Sequence, residues 1–346
     1  MTRSTVVRRC AWVLVGLAVL FWRAGVGVYP DAQLLATKLV PALPSLPHVA
    51  PLDQYLLGSP IGAIVAAIFN ATTERSFELV HVVVFIGFVI GIAVLLCRKF
   101  GVRAAALVGA GFIGSQTSVI LMAWIGSYDV FTVGLSSLLL LVRSRWAALV
   151  IGFLLTFAAF EQGLIILLLL GVLALLGMIE HKVNLLWAAG GLVVGRLLQQ
   201  IWLSANHVTE GRSSFLQQQG VHVFLDQFWK GLPWLLPTCL GVTIVAVAVA
   251  ISSEQGWRNR IVVVSLFIAC FVPVAVSFDQ SRIYAILTWP IVMVLLLRYS
   301  KRAEDRDVER LSMLTLGLAA IVPGIFVWTG KAQLAKHHLV RLLRDF

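Results

Sequence analysis

The chain has 346 residues, 60% of them hydrophobic and only 12% charged, with 27 Lys and Arg against 16 Asp and Glu for a formal net charge of +11. So few charges exclude an ordinary soluble domain, and long apolar runs without strand-like alternation exclude a membrane β-barrel. The basic excess lies in short loops between apolar segments rather than along one stripe, so it marks membrane topology and not a nucleic-acid surface.

Residues 1–28 join a basic start (Arg3, Arg8, Arg9) to a long apolar stretch, expected to be a retained first helix over 10–28 rather than a cleaved signal. A loop over 29–76 follows. In it Pro41, Pro44, Pro47 and Pro51 recur at a spacing that favours stiff polyproline geometry. The apolar stretch 56–70 is too short to cross and is expected to be interfacial or re-entrant. Further apolar windows predict helices over 77–97, 104–126, 130–142, 146–160, 163–178, 184–203, 231–251, 261–277, 283–298 and 311–329. The reading is an all-α, polytopic, single transmembrane domain over 1–346 with about eleven spans. Residues 204–230 are expected to carry an interfacial helix, and 331–346 a basic amphipathic tail.

With the N-terminus inside, Arg98, Lys99, Arg103, Arg143, Arg145, Lys182, Arg258, Arg260 and Arg298 to Arg310 fall in cytoplasmic loops. Few basic residues fall outside. This bias predicts a multi-pass membrane protein with a cytoplasmic N-terminus. The four cysteines, Cys10, Cys97, Cys239 and Cys270, show no spacing for a disulfide framework or zinc site.

The same topology puts four turns containing acids on the external side: Asp31 in VYPD, Asp129 in GSYD, Glu161 in FEQG, and Asp279 with Arg282 in FDQSR. Ionisable groups at membrane depth are costly and mark function by default. Only 33 residues run from Trp146 to Met178, whereas two full crossings want about 40. The FEQG turn is therefore expected below the outer surface, placing Glu161 and Gln162 in a recess with Arg196 as the candidate cation. Asp279 and Arg282 share a helical face, and the arginine suits bidentate phosphate contact. Asp31 is placed to act as a general base on a hydroxyl arriving from outside.

Each has a plainer reading: interhelical ion pairs for Glu161–Arg196 and Asp279–Arg282, and helix caps for Asp31 and Asp129. His207, Glu210 and Arg212 cluster in the second large loop, suited to a sugar or phosphate or simply to solvent. The pair Asp305 and Asp307 lies in a run of alternating charge and reads as a solvated loop.

Tyr29-Pro30-Asp31 soon after the first helix, many short-looped helices with acids on one face, GSYD followed by FTVGLSSLLLLVRSR, and a short hairpin with FEQG together resemble the GT-C superfamily. These integral-membrane glycosyltransferases use polyprenyl-phosphate-linked sugars. The resemblance is architectural and covers most of the chain; unlike many members, the sequence places no further acid beside Asp31. It implies a catalytic Asp in the first external loop, which maps onto Asp31, and basic residues on the lipid phosphate, for which Arg282, Arg212 and Arg196 are candidates.

The expected function is transfer of a sugar from a polyprenyl-phosphate lipid to a glycan or lipid acceptor at the external face. Asp31 would be the base, with Asp279 and Glu161 orienting the groups, and Asp129, Gln162 and His207 near the substrate. No cofactor is expected, a divalent metal staying open. The alternatives are a polyprenyl-linked polysaccharide polymerase or ligase, a transporter or flippase with Glu161, Arg196 and Asp279 along a pathway, and a non-catalytic assembly partner.

Overall fold

The structure, a computed structural model, describes residues 3–335. Helix α1 (Arg3–Ala24) leads into short helical turns, α2 (Ala32–Leu34), a π-turn (Leu35–Leu39) and α3 (Val40–Ala42), then a 3-10 helix (Pro51–Gly58) and α4 (Ile61–Ile68). The main bundle continues with α5 (Glu74–Phe100), α6 (Val102–Gly114), α7 (Gln116–Ala123), α8 (Asp129–Leu141), α9 (Arg145–Leu175) and α10 (Lys182–Ala205). Helices α11 (Arg212–Gln219), α12 (Val221–Thr238), α13 (Thr243–Ser252), α14 (Trp257–Ala269), α15 (Phe271–Ala275), α16 (Gln280–Arg302) and α17 (Asp305–Ile321) complete it. An antiparallel hairpin of β1 (Ile325–Trp328) and β2 (Lys331–Leu334) follows.

Helix α16 is the axis. Its most apolar 18-residue stretch is 83% buried, against 11% for the peripheral α5. The two ends of the bundle differ in chemistry. At the basic end, Arg298 donates to the Gly177 carbonyl, Asn184 to that of Val142 and Lys99 to that of Leu141, while Lys301 meets Glu180. At the opposite, acidic end, the segment after α1 pairs with 122–125, Gln199 donates to the Gly58 carbonyl, and the Val327 N–H donates to Ser281. Exposed Trp146 and Trp257 near the basic end, and Trp229 and Trp234 on α12, sit as membrane-interface tryptophans do.

Among the described residues, four helices are long and apolar enough to cross a membrane, and up to six if each of two bent pairs counts as one span, where the sequence reading expects about eleven. Much of the difference lies in breaks. The predicted span 104–126 bends by 62° at Ser115, where α6 meets α7, and 231–251 gives way to α12 and α13, bent by 73°. The predicted pair 146–160 and 163–178 is continuous as α9, yet Ala159 inside it has φ −165° and ψ 98°, far from helical.

The chain reverses there. A Cβ on Gly163 would lie 3.4 Å from the Leu155 Cβ, whereas eight residues along a straight helix span about 12 Å. Both ends of α9 accordingly reach the basic end, and FEQG sits at the inner turn of a hairpin. Gly152 and Gly191 let α9 and α10 touch backbone to backbone, since a Cβ on either would collide with a main-chain carbonyl of the other helix.

Three further expectations are corrected. The helix predicted to 329 stops at Ile321, because Pro323 and Gly324 cannot continue it, and a β-hairpin takes its place. Pro41 lies inside α3 and Pro51 opens the 3-10 helix, so the four prolines do not share one extended polyproline stretch. The tail expected as an amphipathic helix begins as strand β2, and its residues 336–346 lie outside the described residues. Helix α4, with eight residues, covers about 12 Å, too little for a crossing.

Candidate active site

The acidic end brings together residues far apart in sequence. Arg282, in the first turn of α16, has 5% of its side chain exposed and is ringed by acceptors. Its Nε and Nη2 donate to the two oxygens of Asp129 at 2.5 and 3.1 Å, its Nη1 to Asp279 at 2.8 Å, and its Nη2 also to Ser127 at 3.4 Å. The rings of Tyr128, Trp124 and Tyr29 pack around the guanidinium at 4.8, 5.1 and 5.7 Å from their centroids.

Asp129 is the first residue of α8, but its side chain does not cap the helix. It is fully buried and takes a further hydrogen bond of 2.7 Å from Ser127. A buried guanidinium with its donors matched in this way is held rigidly.

A second ion pair adjoins the first. Arg212, opening α11, donates to Glu161 at 2.5 Å, to the Ser59 hydroxyl at 2.7 Å and to the Tyr128 hydroxyl at 3.0 Å. Tyr128 therefore joins the two arginines, its ring against Arg282 and its hydroxyl on Arg212. Arg212 keeps 28% of its side chain exposed and Glu161 47%. Burial works against the charged form of Arg212, but Tyr128 and Glu161 outweigh it and raise its pKa.

Glu161 does not pair with Arg196, as the sequence reading expects. Arg196, on α10, donates to Gln199 at 2.9 Å and stacks on Phe160 at 4.7 Å instead. Gln162 is buried beside Glu161, its Oε1 without a hydrogen-bond partner among the described residues.

Asp31 stands apart from both pairs. It occupies the N-cap position of α2 without capping it by its side chain, and among the described residues its carboxylate makes no ion pair or hydrogen bond. Its charge is nevertheless felt by its neighbours. The Tyr55 phenol is pushed up to about 12, first by burial and then by Asp31 and Asp279. Burial also raises Tyr29, with Asp31 adding to it against Arg282, and raises the Asp279 carboxyl against the pull of Arg282. Tyr55 thus stays a neutral hydroxyl between acids. Its ring packs on Phe215 of α11 at 4.8 Å between centroids, so the helix that carries Arg212 covers this side of the site.

His207 lies elsewhere, in a cleft at the end of α10. Asp305 and Asp307 form surface pairs with Arg103 and Arg310, as a solvated loop should.

No protein-family model matches the chain, and no curated protein matches it in sequence. Solved structures do match it. ArnT from Cupriavidus metallidurans in the apo state aligns with TM-score 0.51 at 18% identity, over 89% of this chain and 62% of ArnT. The same protein bound to undecaprenyl phosphate aligns with TM-score 0.53 at 18% identity, over 90% of this chain and 62% of ArnT.

The chain has the fold of ArnT. The all-α, polytopic membrane architecture expected from the apolar windows is the one the chain adopts. It spans less than two thirds of ArnT's length.

Tyr128, Ser59 and Tyr55 are the site residues that sequence reasoning missed. Tyr128 adjoins the GSYD acid and was within reach of it; Ser59 and Tyr55 carry no local signal.

Proposed function

We propose that the chain is a membrane glycosyltransferase that moves a sugar from a polyprenyl-phosphate donor to an acceptor hydroxyl at its acidic end, the external face. The observation that carries this reading is the likeness, over 90% of the chain, to ArnT bound to undecaprenyl phosphate. The unpaired Asp31 beside two arginine-centred ion pairs suits the chemistry. Asp31 takes the proton of the acceptor hydroxyl, the oxygen attacks the anomeric carbon, and the bond from that carbon to the phosphate oxygen breaks with inversion. The lipid phosphate leaves with the bonding pair.

The geometry divides the arginines' roles. Arg282 is engaged by Asp129 and Asp279 and nearly closed to solvent, which fits an organiser of Tyr29, Trp124 and Tyr128. Arg212, more open and held by the half-exposed Glu161, is better placed to exchange its carboxylate for a lipid phosphate. Tyr55 and Tyr128 supply hydroxyls for the leaving phosphate or the sugar.

The test is mass spectrometry of lipids that copurify with the protein. Wild type is expected to retain polyprenyl phosphate and Arg212→Ala to lose it. Ordinary phospholipids alone on wild type, even after incubation with added polyprenyl phosphate, would overturn the reading.

A further inference from the structure

Away from the ion pairs, a half-open cleft of about 310 Å³ lies between the first long loop and the end of α10. Its walls include His48, Val49, Gln54, Leu57, His207 and Val208. That size is at the small end for a ligand pocket. Hydrogen bonds stitch its walls together: the Leu46 N–H donates to Asn206 Oδ1 at 2.8 Å, and Trp202 Nε1 to the Pro44 carbonyl at 2.7 Å.

Gln54 is the key group. It is only 9% exposed, and its Oε1 accepts the N–H groups of Thr209 and Glu210 at 3.1 and 3.0 Å. Those two bonds fix which way the amide faces, leaving the NH₂ of a cleft-lining residue with no acceptor among the described residues. His207 is also set in place, with φ +58° just past the C-cap of α10 and its N–H on the Ser204 carbonyl.

The lining chemistry selects a ligand class. It contains no carboxylate, lysine or arginine, so it lacks the permanent cation an anion would want. Two imidazoles are too few for a closed metal site. Amide and imidazole donors and acceptors beside Val49, Leu57 and Val208 match a sugar ring, which has hydroxyls at its rim and an apolar C–H face.

We infer that this cleft binds a neutral sugar residue of the acceptor. The inference rests on the proposed transfer reaction for the word acceptor, but not for the binding. The 3-10 helix Pro51–Gly58 joins the two sites: Gln54 and Leu57 face the cleft, Tyr55 packs on Phe215, and Ser59 just beyond it holds Arg212.

The test is saturation-transfer NMR with the full chain in nanodiscs, without any lipid donor, against the methyl glycosides of glucose, galactose and mannose and against N-acetylglucosamine. Saturable binding of at least one is expected, weakened roughly 10-fold by combining His48→Ala with His207→Gly. Glycine keeps the left-handed backbone at 207. Ala205→Trp, at an exposed position on the cleft wall, should abolish binding by filling the mouth. No binding of any of the four sugars to wild type, or binding unchanged in both variants, would overturn the inference. Because no turnover is read, that result would leave the transferase reading standing, and an inactive transferase that still bound sugar would leave this one standing.

Discussion

Arg282 and Asp129 are 153 positions apart and meet as a buried, bidentate pair. Removing one partner from such a pair leaves the other charged and desolvated, at a cost of about 3–5 kcal/mol. Arg282→Ala or Asp129→Leu alone should therefore lower the thermal unfolding midpoint in detergent sharply. Arg282→Met combined with Asp129→Leu should recover much of the loss. A double variant as unstable as the sum of the singles would show that the pair is not coupled. At this scale the sequence was legible in part. Asp279, at the N-cap of α16, and Arg282, in its first turn, are three apart, so their contact follows from local helical spacing. The partner of Glu161 did not: Arg212 is 51 positions away, and Arg196, apt by depth, stacks on Phe160 and donates to Gln199 instead.

The helical hairpin of α9 was legible from length alone, because 33 residues cannot make two full crossings and FEQG had to turn early. The breaks at Ser115 and between α12 and α13 were not, since the apolar runs through them are nearly continuous and only tertiary contacts fix the bends. The α9–α10 contact gives the sharpest test of an element. Gly152→Ala and Gly191→Ala each push a methyl group into a facing main-chain carbonyl and should cost folded protein. Gly190→Ala, whose added Cβ meets nothing within 4 Å, should be neutral or stabilise by up to about 1 kcal/mol through helix propensity. Equal effects at 190 and 191 in a thermal melt would contradict the close packing.

Across the whole molecule, charge is divided between an end that fastens the bundle and an end where acids from three turns pair with two arginines. At the basic end Glu254 is nearly buried between Arg298 and Arg302, at 2.9 and 2.8 Å, tying the α13–α14 turn to the end of α16. Burial alone would raise its pKa, but the two arginines hold it below the ordinary glutamate value of 4.5. A carboxyl with a depressed folded pKa contributes stability that is present above its ordinary value and lost as pH falls through the folded one. Wild type should thus lose thermal stability below about pH 4.5, while Glu254→Gln should start lower and change less over that range. A parallel pH dependence in both would remove Glu254 from the account.

At the acidic end the four turns that the sequence placed on one side do meet, and Asp31 alone among their acids has no partner holding it. Release of polyprenyl phosphate from a polyprenyl-phosphate sugar, by the full chain in nanodiscs with the acceptor supplied as membrane glycolipid extract, tests this most directly. Wild type should release it, and Asp31→Asn should do so at least about 100-fold more slowly while still retaining the lipid. Release by Asp31→Asn at the wild-type rate would contradict the assignment of the base, and no release by wild type would contradict transfer itself.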